Sequence, residues 1–196
     1  MPWTPALSLA QLPENSARVW KHEHFQLAIF RRAGTELYVV DNRCPHEGYP
    51  LSEGTLDGGC TLTCNWHNWK FDLESGETLV GGDRLRTYPV EVRDGRVLVD
   101  IADAPPAGRQ ARALENLAEA LADDDHPRMA REVARFLKAG GDPLEPLRRS
   151  IISRADRFEY GMTHAFAASP GWIALHRNAP DPAHGLSALE IGRAHV

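Results

Sequence analysis

Asp41-Asn42-Arg43-Cys44-Pro45-His46-Glu47-Gly48 and Cys64-Asn65-Trp66-His67 are the two stretches that decide the fold. Each presents one thiol and one imidazole within four residues, and seventeen residues separate His46 from Cys64. Two thiolates and two neutral imidazoles are the donor set of a binuclear iron–sulfur centre in which one iron is held by sulfur and the other by nitrogen. Metal–ligand bonds of about 2.0–2.3 Å tolerate little slack, so the scaffold must hold two loop tips side by side. The same four residues also admit a structural zinc site or a disulfide between Cys44 and Cys64. Against zinc stands the order of the ligands, since paired cysteines followed by paired histidines are absent; against the disulfide stands a reducing compartment.

The sequence around these loops reads as β-structure. Arg18-Val-Trp20, Gln26-Leu-Ala-Ile-Phe30 and Glu36-Leu-Tyr-Val-Val40 are short runs rich in branched and aromatic residues, with Ala33-Gly34 turning between the second and third. Pro89-Val-Glu-Val-Arg93 and Arg96-Val-Leu-Val-Asp100 flank Asp94-Gly95, a two-residue hairpin signal because both central positions tolerate positive φ.

The period changes after Ala104-Pro105-Pro106-Ala107-Gly108. Leu114, Leu117 and Leu121 recur at helical spacing, as do Met129, Val133, Phe136 and Leu137, before Gly140-Gly141 stops the run. Asp142-Pro143-Leu144-Glu145 reads as an N-cap, a proline at the first helical position and a capping-box carboxylate. The fold class is therefore α+β: an all-β domain over residues 1–104, a linker over 105–108, and an α-helical domain over 109–196.

Composition narrows the function. The 196 residues are 42% hydrophobic and 25% charged, inside globular norms. The net charge of −5 and the absence of a clustered basic surface argue against nucleic acid. Residues 1–104 carry 10 Lys and Arg against 15 Asp and Glu, so the whole excess of acid belongs to the β half, where it would favour encounter with a basic partner. No window approaches 18 uninterrupted apolar residues, and Met1-Pro2-Trp3-Thr4 does not open a signal peptide. No membrane is expected, and the expected compartment is the cytoplasm.

Cys44-Pro45-His46, Gly48, Leu51-Ser-Glu-Gly54 and Cys64-x-Trp66-His67-x-Trp69-x-Phe71-Asp72 together resemble the ferredoxin and oxygenase branch of the Rieske family, over most of residues 3–104. The resemblance implies a small β-sandwich with two loops forming the tip. Cys44, His46, Cys64 and His67 would bind one [2Fe-2S] cluster per chain, the imidazoles near solvent and the thiols deeper. Pro45, Gly48, Trp66, Asn68 and Trp69 would surround them, the two tryptophans packing over the loops to exclude water. Asn68 departs from the family, which usually has glycine after the second histidine; asparagine is the residue that best tolerates positive φ after glycine. The high-potential branch adds a disulfide between positions that hold Tyr49 and Trp66 in this chain. Cys60 is left over as a small buried residue.

The resemblance also bears on potential. The respiratory type has hydroxyl donors two and four residues after the second histidine, where this chain has Trp69 and Phe71. Lacking those donors to the reduced cluster, it is expected at the low end of the range, roughly −150 mV. That suits an electron carrier between a reductase and an acceptor enzyme. The alternative is a component of an oxygenase or other oxidoreductase whose second, catalytic metal lies in the helical half or beyond the chain end.

For that second metal the helical half offers little. Asp181 and His184 begin the Asp-x₂-His-x₄-His spacing of the family's oxygenases, but Leu189 stands where its last histidine belongs. Glu159 and His164, five apart, point roughly 140° away from each other on a helix. The last residues, Glu190-Ile-Gly-Arg-Ala-His-Val196, resemble one reading frame of a sequencing-library adapter, from which an incomplete helical domain is expected.

Overall fold

In a computed structural model that describes residues 3–153 and 164–181, the chain divides into two units, residues 1–103 and 104–196. The first holds three antiparallel sheets. The middle sheet is β2 (Ser16–His22), β3 (Phe25–Arg31) and β4 (Leu37–Asp41), in that order. A second sheet joins β1 (Thr4–Ser8) to the hairpin of β9 (Val90–Arg93) and β10 (Arg96–Val99), with β10 central. The third is a meander of short strands, β5 (Thr55–Leu56), β6 (Thr61–Thr63), β7 (Lys70–Asp72) and β8 (Thr78–Val80).

Strand β3 explains how one small unit supports two cores. Its run Leu27-Ala28-Ile29-Phe30 is buried on both faces, and side chains alternate along a strand. Leu27 and Ile29 join Leu12, Val39, Val97 and Val99 in one core; Ala28 and Phe30 join Val40, Leu51, Leu62 and Phe71 in the other. The second core also contains Cys44 and Cys64. Burying a side chain such as Phe71 or Leu62 contributes about 1.5–3 kcal/mol each, so the floor of the two loops is the firm part of the unit.

The hairpin predicted at Asp94-Gly95 forms, with φ of 49° and 71° at the two positions. Both positive values are those of the tight turn whose twist matches paired strands.

In the second unit, α1 (Pro106–Ala122) and α2 (His126–Lys138) bury Leu114, Leu117, Leu121, Met129 and Phe136 together. Residues 106–108, read as part of a linker, instead form the first turn of α1, because proline at the first helical position needs no N–H partner and has its φ already set. Gly140 ends α2 at φ +80°. Gly141 packs so closely that a Cβ would sit 2.2 Å from the Phe136 ring. Asp142 accepts the Leu144 N–H at 3.0 Å and starts α3 (Leu144–Ser153). Glu145 does not complete the capping box; it pairs with Arg148 and Arg149, whose charges lie on its own helix face. Helix α4 spans His164–Arg177. Glu159, His184, Leu189 and residues 190–196 lie outside the described residues. No described helix is long and apolar enough to cross a membrane.

Candidate metal centre

The two loops are built on one backbone pattern. Cys44 donates its N–H to the carbonyl of Tyr49, and its own carbonyl accepts the N–H of Gly48, both at 2.8 Å. Cys64 repeats this with Trp69 at 2.8 Å and Asn68 at 3.0 Å. In each loop the residue four after the cysteine must turn left-handed, and Gly48 and Asn68 do so at φ +79° and +59°. The departure at Asn68 therefore keeps the turn. Asn42 anchors the first loop: its buried amide Oδ1 accepts the Ser52 N–H at 2.8 Å, and its backbone N–H bonds Gln26 on β3. The second loop needs no such anchor, since β6 and β7 pair at Thr63 and Lys70 on either side of it.

This frame sets thiols below imidazoles. Cys44 and Cys64 are 4% and 1% exposed, whereas His46 is half-buried and His67 exposed. The Nδ1 atoms of His46 and His67 lie 3.1 Å apart. Burial pushes the Cys44 thiol up to about 11, the backbone N–H of His46 opposes this, and the neighbouring Cys64 thiol pushes it further up. Burial makes such a thiol costly to ionise unless a cation meets it. Glu47 comes within 4.8 Å of both imidazoles, with its carboxylate 3.8 Å from His67 Nε2.

Each imidazole carries a tryptophan. Trp69 stacks on His46 at 4.7 Å and 12° between planes, and Gly81 lies against its six-membered ring, so closely that a Cβ there would clash with it. Trp66 stacks on His67 at 5.3 Å and 14°. The expectation that both tryptophans exclude water holds poorly for Trp66, which is 56% exposed; the second loop projects past β6 and β7. Pro45, half-buried, opens the turn carrying His46 and has its φ preset. Cys60 is buried, as expected, but its thiol faces Arg32 (Nη1 at 3.5 Å).

Comparison with known proteins gives the family. A family model described as "Rieske [2Fe-2S] domain" matches residues 2–89. The 3-phenylpropionate/cinnamic acid dioxygenase ferredoxin subunit of Photorhabdus laumondii is 34% identical over 98 residues, covering 49% of this chain and 91% of that one. The chain belongs to the Rieske family. The Rieske unit is also 40% identical over 91 residues to 4beta-methylsterol monooxygenase of Methylococcus capsulatus, which covers 41% of this chain and only 24% of that enzyme. A solved ferredoxin of Sphingomonas yanoikuyae B1 aligns with 52% of this chain and all of its own length, at 27% identity and a TM-score of 0.47.

Membership of the Rieske family brings a [2Fe-2S] cluster and sets aside the zinc and disulfide readings. The donor set fits that group. Two buried thiols form the floor, and two imidazoles direct Nδ1 atoms toward each other from separate loops. Local spacing in the sequence singles out these four candidate donors. Asn42, Glu47, Tyr49 and Gly81 escaped it, because each meets the site through tertiary contact and none carries a spacing signal.

Proposed function

We propose that the Rieske unit is a one-electron carrier, with Cys44 and Cys64 holding one iron of the cluster and His46 and His67 the other. The observation that carries this is the pair of facing Nδ1 atoms, 3.1 Å apart, above two buried thiols. When bound, the cluster takes up and gives back one electron without bonding to substrate. Four side chains that satisfy both irons leave no open position for chemistry, so the chain's own residues bind, orient and shield. The thiols anchor the cluster away from water. The imidazoles stand nearest the surface and shorten the distance to a redox partner.

Replacing two thiolates by neutral rings removes about two negative charges and raises the potential relative to an all-cysteine cluster; Trp69 and Phe71, which offer no hydroxyl, keep it at the low end, roughly −150 mV. The partners are then a reductase and an acceptor enzyme. The ferredoxin subunit of the cinnamic acid dioxygenase supports this, as does the ferredoxin component of the naphthalene 1,2-dioxygenase system of Pseudomonas aeruginosa, 31% identical over 102 residues. In this reading residues 1–104 are the redox domain and the helices a separate one.

One observation favours a second reading, a component of an oxygenase: the 40% identity to the methylsterol monooxygenase. Metal and sulfide content decides. Two irons and two acid-labile sulfides per chain support the carrier, and a third iron lost on changing His164 supports the oxygenase. In either case His46→Ala or His67→Ala abolishes the visible and EPR signature; a signature surviving either change overturns the ligand assignment.

A further inference from the structure

Three rings stand in file along the second loop, from His67 through Trp66 to Tyr49, the last half-buried against the core that holds Cys44 and Cys64. Trp66 lies flat on His67, and Tyr49 meets Trp66 edge-on, with centroids 5.6 Å apart and planes at 74°. Tyr49 belongs to the first loop, where its carbonyl accepts the Cys44 N–H. Its hydroxyl donates to Glu53 Oε2 at 3.2 Å, and the Glu53 carbonyl accepts from Asn65 Nδ2 at 2.7 Å. Asn65 accepts in turn from Thr55 Oγ1 at 2.9 Å. The tip of the second loop is thus tied to residues 49–55 by one ring contact and two hydrogen bonds.

The two imidazoles differ in what holds them. His46 is half-buried, and its tryptophan is backed by Gly81. His67 is exposed; besides Glu47 and the imidazole of His46, which it meets edge-on at 4.6 Å, the ring against its side chain is Trp66, stacked on its face. An exposed ring must lose rotamer freedom to serve as a ligand, and a neighbour that restricts it beforehand removes that cost. Trp66 is itself 56% exposed on its projecting loop, and its described ring contacts are with His67 and Tyr49.

We infer that Tyr49 and Trp66 form a brace that fixes the His67 ring from the solvent side and thereby sets the potential and lifetime of the cluster. The inference rests on the assignment of His67 as a ligand. Both are positioning residues. Tyr49 holds Trp66 by its ring edge, Trp66 holds His67 by its face, and the Tyr49 hydroxyl only steadies the outer end.

The test compares the full-length chain, loaded with cluster, with Trp66→Ala, Trp66→Phe, Tyr49→Ala and Tyr49→Phe. Trp66→Ala is expected to lose cluster to a chelator roughly two- to tenfold faster, the range that loss of one aromatic contact converts to. Its midpoint potential rises, because water reaching His67 stabilises the more negative reduced state, and its EPR g-values shift. Tyr49→Ala moves all three readouts in the same direction by less; Trp66→Phe and Tyr49→Phe, which keep the rings, stay near wild type. Should Trp66→Ala fail to fold, the Tyr49 pair carries the test.

Wild-type potential, EPR and cluster lifetime in both alanine variants overturn the brace and leave the ligand assignment intact. Equal behaviour of Tyr49→Ala and Tyr49→Phe overturns it as well. A wild-type chain that takes up no cluster overturns the ligand assignment, and the brace with it.

Discussion

Gly48 and Asn68 perform one backbone task in two loops: each turns left-handed and donates its N–H to the carbonyl of the cysteine four residues before it. The same task makes different demands on side chains. A Cβ at Gly48 would meet only the Arg43 guanidinium, at 3.8 Å, so the constraint there is φ and not space. Gly48→Ala and Asn68→Ala are each expected to cost about 1 kcal/mol, and Asn68→Gly to cost nothing or stabilise slightly. Thermal unfolding of the loaded protein checks the order. A β-branched residue at either position costs more and lowers cluster content.

Gly81 sets a different limit. Its φ of +130° suits glycine, and a Cβ there would come within 2.4 Å of the Trp69 ring. Gly81→Ala must shift the Trp69 ring that stacks on His46, an overpacking cost of about 1–3 kcal/mol. Destabilisation accompanied by a changed visible spectrum is the expected result. Destabilisation with an unchanged spectrum would show that the Trp69–His46 stack has no electronic consequence.

These two cases show where the sequence was legible. Strands β2, β3 and β4 and the β9–β10 hairpin announced themselves because each is long enough to show branched, alternating character, and Asp94-Gly95 fixed the turn. Strands β5 to β8, of two or three residues, are too short to show any period. The four candidate donors stand in the sequence as local pairs. The position of Gly81 beneath Trp69 and the reach of Asn42 to Ser52 were not, since contacts between residues ten or more apart leave no local mark. Trp66 misled for the opposite reason: aromatic character suggests burial, and only the projecting loop shows why it stays in water.

Cys60 separates ligand from bystander. Its thiol lies beside Arg32, and the Tyr38 phenol is held above its usual range first by Cys60 and then by Glu36. Cys60→Ala is expected to leave iron content, sulfide content and EPR unchanged, while Cys44→Ala and Cys64→Ala each abolish cluster binding. Loss of EPR signal in Cys60→Ala would place a third thiol in the centre.

Acid stability follows from two carboxylates in the third sheet's turns. Asp57 is held below its ordinary 3.8 by the backbone N–H groups of Thr61 and Gly59, and Asp72 by the backbone N–H and hydroxyl of Ser75. A depressed pKa in the folded state means that the unfolded state binds more protons. The stabilisation is complete above about pH 4–5 and disappears as pH falls through the folded values. Asp57→Asn and Asp72→Asn are expected to lower stability near pH 7 and to flatten the fall below pH 4. Unfolding by denaturant across pH 2–7 measures both effects; an unchanged acid limb in the double variant would assign acid unfolding to other groups.

Glu47 places a negative charge 3.8 Å from His67 Nε2, on a side chain 54% exposed. A charge so near the imidazole-bearing iron disfavours the extra electron, so Glu47→Gln is expected to raise the midpoint potential. For an exposed charge at about 4 Å the interaction is near 1 kcal/mol in water and is weakened by salt, giving a rise on the order of 20–40 mV at low ionic strength. Voltammetry in low and high salt distinguishes two origins. A shift that shrinks with salt is the charge itself, as this geometry requires. A shift of the same size at both means that Glu47 acts by orienting the His67 ring, in which case its effect should combine non-additively with that of Trp66→Ala.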